Sequence, residues 1–360
     1  MLQESDFIPK NYEVKIPQGN FAWEAPSNIA LVKYWGKKAH QMPANPSISF
    51  TLSACKTITK LSFSKADFVT NFNYEFLFEG QPKPNFHPKI EQFFHRISVY
   101  MPFLKNYHFV IDSENTFPHS SGIASSASAM AALSLSLMSV EKALNPSISE
   151  DYFYKKASFL ARLGSGSACR SVKGSVVGWG FHPDVSETSD LYGVAFDGLH
   201  PNFDQIQDTI LLIDKGSKKV SSTLGHDLMH NHPFANQRFA QANDNLISMQ
   251  SILKSGNWVD FCALVESEAL TLHAMMMTSN PYFILMKPNT LKAIDAIWDF
   301  RAQHEAKICF TLDAGANVHV LYAKEHQELV LQFIKESLAP LCENNQYICD
   351  QLGYGAKQIV

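Results

Sequence analysis

Residues 107–138 constrain the fold more than any other stretch of the chain. An alternating apolar run over 107–112 reads as a strand, and an apolar segment over 127–138 reads as a buried helix. Between them runs Asn115-Thr-Phe-Pro-His-Ser-Ser-Gly-Ile-Ala-Ser-Ser-Ala-Ser-Ala-Met130. A small-residue loop between a strand and a helix N-terminus offers an anion free backbone N–H groups and the positive end of the helix dipole. Ser120, Ser121, Ser125 and Ser126 add hydroxyl donors, and Gly122 lets the backbone approach a phosphate closely. Two readings fit this stretch alone: a nucleotide-phosphate cradle, and a helix merely capped by serines.

Composition narrows the partners. At 360 residues, 46% hydrophobic and 18% charged, the chain reads as a soluble globular protein of one large or two ordinary domains. A net charge of −4 argues against a nucleic-acid surface, which needs a basic excess, but leaves room for an anionic small substrate where basic residues converge. Residues 1–20 carry charges and prolines without an apolar core, so no signal peptide is expected. The apolar run 127–138 is too short to span a bilayer and is broken by serines, so no membrane partner is expected and the cytoplasm is the default compartment. Six scattered cysteines form no C-x-x-C pair and read as free thiols. His226, His230 and His232 are the only metal-like cluster, and a solvated loop is the expectation for them.

Other segments repeat the theme of the first. Residues 24–38 read as a short strand exposing Asn28, Lys33, Tyr34, Lys37 and Lys38, with Trp35 packed among the lysines. Strands are expected over 47–52, 56–63 and 71–78, the last closed by a Glu79-Gly80 turn, and a helix over 87–100. A helix over 149–163, capped by Ser149, leads into Gly-Ser-Gly-Ser-Ala-Cys-Arg-Ser at 164–171. That turn reads either as a second anion site, carrying Arg170, or as a plain flexible helix end. Polar residues 184–207 place a domain boundary near residue 200. Beyond it come a strand at 209–214 and a basic, hydroxyl-rich loop at 215–225. Helices are expected over 233–254, 258–276, 290–303 and 326–337, with a strand pair (307–312 and 317–322) around Asp313-Ala-Gly-Ala-Asn317. Strands and helices in this order fit an α+β protein. Three hydroxyl-rich loops, each with lysine or arginine nearby, point to phosphoryl transfer onto a small anionic acceptor, chemistry that rests on positioning and charge.

These blocks resemble the GHMP small-molecule kinases. The matches are Ala25-Pro-Ser-Asn-Ile-Ala-Leu-Val-Lys-Tyr-Trp-Gly-Lys37, residues 115–126, residues 164–171, Val220-Ser-Ser-Thr-Leu-Gly225, Phe310-Thr-Leu-Asp-Ala-Gly-Ala-Asn317 and Gln351-Leu-Gly-Tyr-Gly355, in the family's order. The loop is common to the whole family. The Lys-Tyr-Trp-Gly-Lys, 164–171 and Asp-Ala-Gly blocks resemble the branch that decarboxylates mevalonate 5-diphosphate.

The resemblance implies a two-domain α+β fold, with an ATP-binding domain over 1–200 carrying the phosphate loop. A ferredoxin-like domain over 201–360 would have a terminal strand able to return to the first. It implies ATP and Mg²⁺, a homodimer, and phosphorylation of the 3-hydroxyl of mevalonate 5-diphosphate followed by loss of phosphate and CO2 to leave isopentenyl diphosphate. A kinase acting on mevalonate or its monophosphate is the alternative. Asp313 would stand beside the 3-hydroxyl, Arg170 on the C1 carboxylate, Lys33 near the transferring phosphoryl group and Ser126 on the phosphate. Asn28, Tyr34, Ser165, Ser167 and Ser222 would hold substrate, Asn28 through Arg170. Pro118, Ser121, Gly122, Ala124, Ser125 and Ser126 would line the nucleotide loop. Departures from the family pattern at Pro46, Ala316, Thr223 and residues 118–122, with Lys89 standing in for an arginine, touch substrate grip more than chemistry.

Overall fold

The structure is a computed structural model and describes residues 2–66, 71–118, 123, 125–216 and 222–360, with the side chains of 222 and 223 left aside. Two long strands, β1 (Gln18–Val32) and β2 (Ser47–Lys65), form its spine. They pair antiparallel from Gln18↔Ser64 to Val32↔Ile48. The strands expected separately at 47–52 and 56–63 are therefore one, broken in register where Pro26 faces Lys56 and Asn28 faces Thr51. At that bulge the N–H groups of Ser53, Ala54 and Cys55 turn away from β1 and donate to the Asp350 carboxylate at 2.7–2.8 Å.

Around the spine, β3 (Asn73–Phe78) turns through Glu79 and Gly80, both at positive φ, into β4 (Gln81–Pro82). Helix α1 (His87–Ile97) leads to β5 (Tyr107–Asn115), which lies between β2 and β3 and runs parallel to β3. Helix α2 (Ser125–Leu144) is long and apolar enough to cross a membrane, yet fifteen of its twenty residues are buried within the protein. Its small Ala and Ser residues let it lie close on β1 and β2, and the serines inside it return hydrogen bonds to the preceding turn (Ser136 to Ala132 O, Ser139 to Leu135 O). Helix α3 (Glu150–Gly164) starts at Ser149, whose Oγ accepts the Tyr152 N–H, and is tied to α2 by a buried Lys156–Glu141 pair at 2.6 Å. β6 (Val176–Trp179) and β7 (Val194–Ala195) extend the sheet from the far end of β2.

The second half is a four-stranded antiparallel sheet. Its strands are β8 (Gln207–Leu211), β9 (Ile308–Leu312), β10 (Val318–Tyr322) and β11 (Tyr347–Gln351), in the order β11-β8-β10-β9. Short helix α4 (Ser222–Asp227), long helices α5 (Ala235–Ser255), α6 (Trp258–Met277) and α7 (Pro288–His304), and α8 (Gln327–Phe333) complete it. After β11 the chain returns to the first sheet, where β12 (Lys357–Gln358) pairs with β1. One apolar cluster runs through both halves, from Ile29, Leu31, Ile48 and Phe50 to Ile210, Leu246, Phe261 and Leu321. The second half thus packs directly over the ends of β1 and β2, and Lys33 is the first residue past that seam.

Candidate active site

Lys33, expected on an exposed edge, is 1% exposed. Its backbone is held on both sides: the N–H donates to Glu268 Oε2 at 2.8 Å, and the carbonyl accepts from Asn45 Nδ2 at 2.9 Å and an Arg238 guanidinium nitrogen at 3.1 Å. The Nζ has no hydrogen-bond partner among the described residues and stands 3.8 Å from Asp313 Oδ1. Burial pushes the ammonium pKa down to about 8, against the opposing pull of Asp313 and Glu268. Asp313 follows β9, and its side chain keeps 34% exposure, so a ligand can reach it.

Arg170 is buried on neutral partners. Its Nε and one terminal nitrogen each lie 3.4 Å from Asn28 Oδ1, the other donates to Ser47 Oγ, and the guanidinium rests over the Trp179 ring with Cζ 5.7 Å from its centroid. Burial lowers its pKa. Asn28, also expected to be exposed, is 4% exposed, because its Nδ2 donates to Ser171 Oγ and Ser167 O and thereby braces the Arg170 turn. That turn is ordered by packing: residues 166–171 form a largely buried 3-10 helix. A Cβ at Gly166 would crowd the Tyr34 hydroxyl at 2.9 Å and Trp179 at 3.0 Å, so a larger residue there displaces Tyr34. Tyr34 is half-buried between Trp179, which it meets edge-on, and a tilted His226 ring, and burial raises its hydroxyl pKa.

The start of α2 meets the same turn. Ser126 Oγ lies 3.2 Å from Ser165 Oγ, which joins the start of α2 to the Arg170 segment. Ser125 opens the helix, Pro118 is exposed ahead of it, and Ser167 is half-buried. Ser121, Gly122 and Ala124 lie outside the described residues, and of Ser222 only the backbone, at the start of α4, is described. Lys89 sits on α1 one turn before Phe93, whose ring borders Gly164.

Of the three histidines expected in a solvated loop, only His230 is exposed. His226 packs between Tyr34 and Trp35, and its Nδ1 accepts the Gly36 N–H at 2.9 Å, so burial holds its pKa near 3. His232 is buried, within 2.9 Å of Met275 O. Apolar and aromatic neighbours, which spacing does not reveal, account for both.

Sequence reasoning missed the support of the site. Glu268, fully buried on α6, receives Arg238 on both oxygens (2.9 and 2.6 Å) and Asn245 at 2.5 Å besides the Lys33 N–H. Buried His273, on the same helix, has Nε2 3.1 Å from the Asp313 carbonyl oxygen. Two carboxylates, Glu266 and Glu268, in the largely apolar stretch 261–276 were the available signal, because a buried charge there needs a partner.

The two-domain α+β architecture, with a serine-headed buried helix meeting a lysine–aspartate–arginine set near the seam, defines the class as a GHMP-fold enzyme. Family models agree in both halves: the diphosphomevalonate decarboxylase-like N-terminal domain matches residues 25–190, and the mevalonate 5-diphosphate decarboxylase C-terminal domain matches residues 209–357. The diphosphomevalonate decarboxylase of Debaryomyces hansenii is 30% identical over 328 residues, covering 86% of this chain and 81% of the relative. The crystal structure of mevalonate diphosphate decarboxylase from Staphylococcus aureus superposes with a TM-score of 0.81 at 28% identity, covering 95% of this chain and 98% of the other. A complex of MDDEF with MVAPP, AMPPCP and magnesium gives 0.80 at 28%, covering 95% and 99%. The chain belongs to the diphosphomevalonate decarboxylase family.

Proposed function

We propose that the chain catalyses the ATP-dependent decarboxylation of mevalonate 5-diphosphate, giving isopentenyl diphosphate, ADP, phosphate and CO2. ATP with its magnesium ion supplies the phosphoryl group that turns the tertiary 3-hydroxyl into a leaving group. Among the described residues no set of three His, Cys, Asp or Glu gathers to hold a metal. The donors at hand, the Ser125 and Ser126 hydroxyls at a helix N-terminus, suit a magnesium ion carried mainly on phosphate oxygens and water.

In this reading the half-exposed Asp313 carboxylate takes or orients the 3-hydroxyl proton and later faces the positive charge that develops at C3 as phosphate departs. The Lys33 ammonium balances the charge of the transferring phosphoryl group. Arg170, planar and two-pronged, grips the C1 carboxylate, whose electrons fill the vacancy at C3 as the C1–C2 bond breaks and CO2 leaves. Asn28 and Ser47 fix the guanidinium from behind. Ser165, Ser167, Tyr34 and Ser222 serve the diphosphate end, with Pro118, Ser121, Gly122 and Ala124 at the nucleotide. A division near residue 200, a homodimer and a cytoplasmic location belong to the same reading.

The observation that carries it is the Lys33 Nζ: a buried ammonium, without a hydrogen-bond partner among the described residues, facing one half-exposed carboxylate. A desolvated cation in that state is most stable when an anionic ligand completes its shell. Purified protein given ATP, Mg²⁺ and mevalonate 5-diphosphate is expected to release CO2 and ADP in equal amounts, and less readily with the monophosphate. ADP without CO2 would make the chain a GHMP kinase instead. Asp313→Asn is expected to lower turnover ~10³-fold with circular dichroism unchanged.

A further inference from the structure

The two residues that face each other at 3.8 Å come from distant parts of the chain, Lys33 at the end of β1 and Asp313 at the end of β9. Both are fastened to one helix. On α6, Glu268 accepts the Lys33 N–H at 2.8 Å, and five residues on, His273 Nε2 lies 3.1 Å from the Asp313 carbonyl oxygen. Five residues advance about 7.5 Å along a helix axis, so α6 spans the pair from behind. The Glu268 end is locked by Arg238. At the Asp313 end the turn's own Gly315 N–H reaches Asp313 O, Thr290 Oγ1 donates to Ala316 O and Asn317 Oδ1 accepts the Asp214 N–H at 3.0 Å, while a Cβ at Gly315 would meet nothing within 4 Å. Ala314 packs on the apolar cluster of Trp35, Leu272 and Met276, and His273 is the α6 side chain that bonds the Asp313 backbone.

We propose that His273 is a positioning residue of the reaction, holding the Asp313 carboxylate at its working distance from the Lys33 ammonium through an Nε2–H bond to the Asp313 carbonyl. The proposal rests on the decarboxylase reading above. A carbonyl oxygen only accepts, so the bond fixes the tautomer with the proton on Nε2. Burial holds the imidazole pKa near 4, so at neutral pH it donates without adding positive charge beside Lys33.

His273→Leu removes the donor, whereas His273→Gln brings an amide N–H to a similar reach. Turnover of the Leu variant is expected to fall ~30-fold with KM for ATP within about threefold of wild type, while the Gln variant stays within about threefold of wild-type kcat. Should His273→Leu fail to fold, His273→Asn, too short to reach the carbonyl, takes its place with the same expectation. A second readout is the alkaline limb of the kcat profile. The charged groups acting on Lys33 are Asp313, Glu268, Asp208 and Arg170. Withdrawing Asp313 removes an attraction that raises the lysine pKa, so the limb moves to lower pH in the Leu variant and stays in place in the Gln variant. Leu or Asn variants with kcat within twofold of wild type, or Gln and Leu losing kcat alike, would overturn the proposal. An inert wild type would instead overturn the decarboxylase reading itself.

Discussion

Lys33 carries a buried ammonium whose cost depends on pH. Its ammonium releases a proton near pH 8 in the folded chain, against 10.5 for an ordinary lysine. Between those values the unfolded chain holds more protons than the folded one. The penalty for burying the charge is therefore full below pH 8 and fades as pH rises toward 10.5. A shift of this size corresponds to ~3 kcal/mol at neutral pH. Lys33→Met keeps the apolar stem and removes the charge, so urea unfolding at pH 7 is expected to show a gain of ~1–3 kcal/mol, vanishing by pH 10.5, while turnover falls at least ~10²-fold. A variant no more stable than wild type at pH 7 would mean that the ammonium is not strained in the free protein. Lys33, Arg170 and Asp313 were legible as candidates because each sits in a block of distinctive residues. The burial of Lys33 was not, since three lysines in six residues look like a wetted edge, and only Lys33 is covered, by Glu268 and Arg238 of helices α6 and α5 in the second half. His273 was invisible for a related reason: its partner is a backbone carbonyl forty residues on, and no side-chain pattern marks it.

Among the elements, α5 and α6 form the frame behind the site. Arg238 from α5 and Glu268 from α6 are both fully buried and paired through two bonds, and Glu268 passes its second role to the Lys33 N–H. Replacing one member leaves the other as an uncompensated buried charge. Arg238→Met is therefore expected to cost ~3–5 kcal/mol in urea unfolding, measured at matched pH. A loss under ~1 kcal/mol would show that water reaches Glu268 and that the frame is softer than its geometry indicates. The long helices followed from apolar spacing and α3 began at its serine cap as expected, whereas the loop expected at 215–225 gives way to α4 from Ser222. Elements that depend on a partner were harder to read. The two short strands expected at 47–52 and 56–63 are one strand, because the bulge that separates them is stabilised by Asp350, a residue from the other end of the sequence. The glycine–serine turn at 166–171 looked flexible for the same reason, since Asn28, Tyr34 and Trp179 pack it from outside its own segment.

At the scale of the whole molecule, the question is whether two halves joined by one apolar cluster can also move as independent bodies. The seam between them is apolar, with Ile29, Leu31 and Phe50 against Ile210, Leu246 and Leu321, and each fully buried side chain of this kind contributes ~1.5–3 kcal/mol. At the edge of the seam Asp350 on β11 takes the three N–H groups of the β2 bulge, Gly353 donates to Thr51 O, and Gly353 can carry no Cβ because the Leu52 carbonyl stands 2.6 Å from where it would be. The chain then closes on β1 through β12. Such a junction couples the halves in folding, so one urea transition is expected, coincident by tryptophan fluorescence and far-ultraviolet circular dichroism. Asp350→Ala would leave three bulge N–H groups without their acceptor, at a cost on the order of 3 kcal/mol. The whole transition is expected to shift to lower urea without splitting, and amide exchange of residues 53–55 to accelerate first. Two separated transitions in the wild type would mean that the seam is a docking surface between autonomous domains. A shift under ~1 kcal/mol in Asp350→Ala would mean that water serves the bulge as well as the carboxylate does.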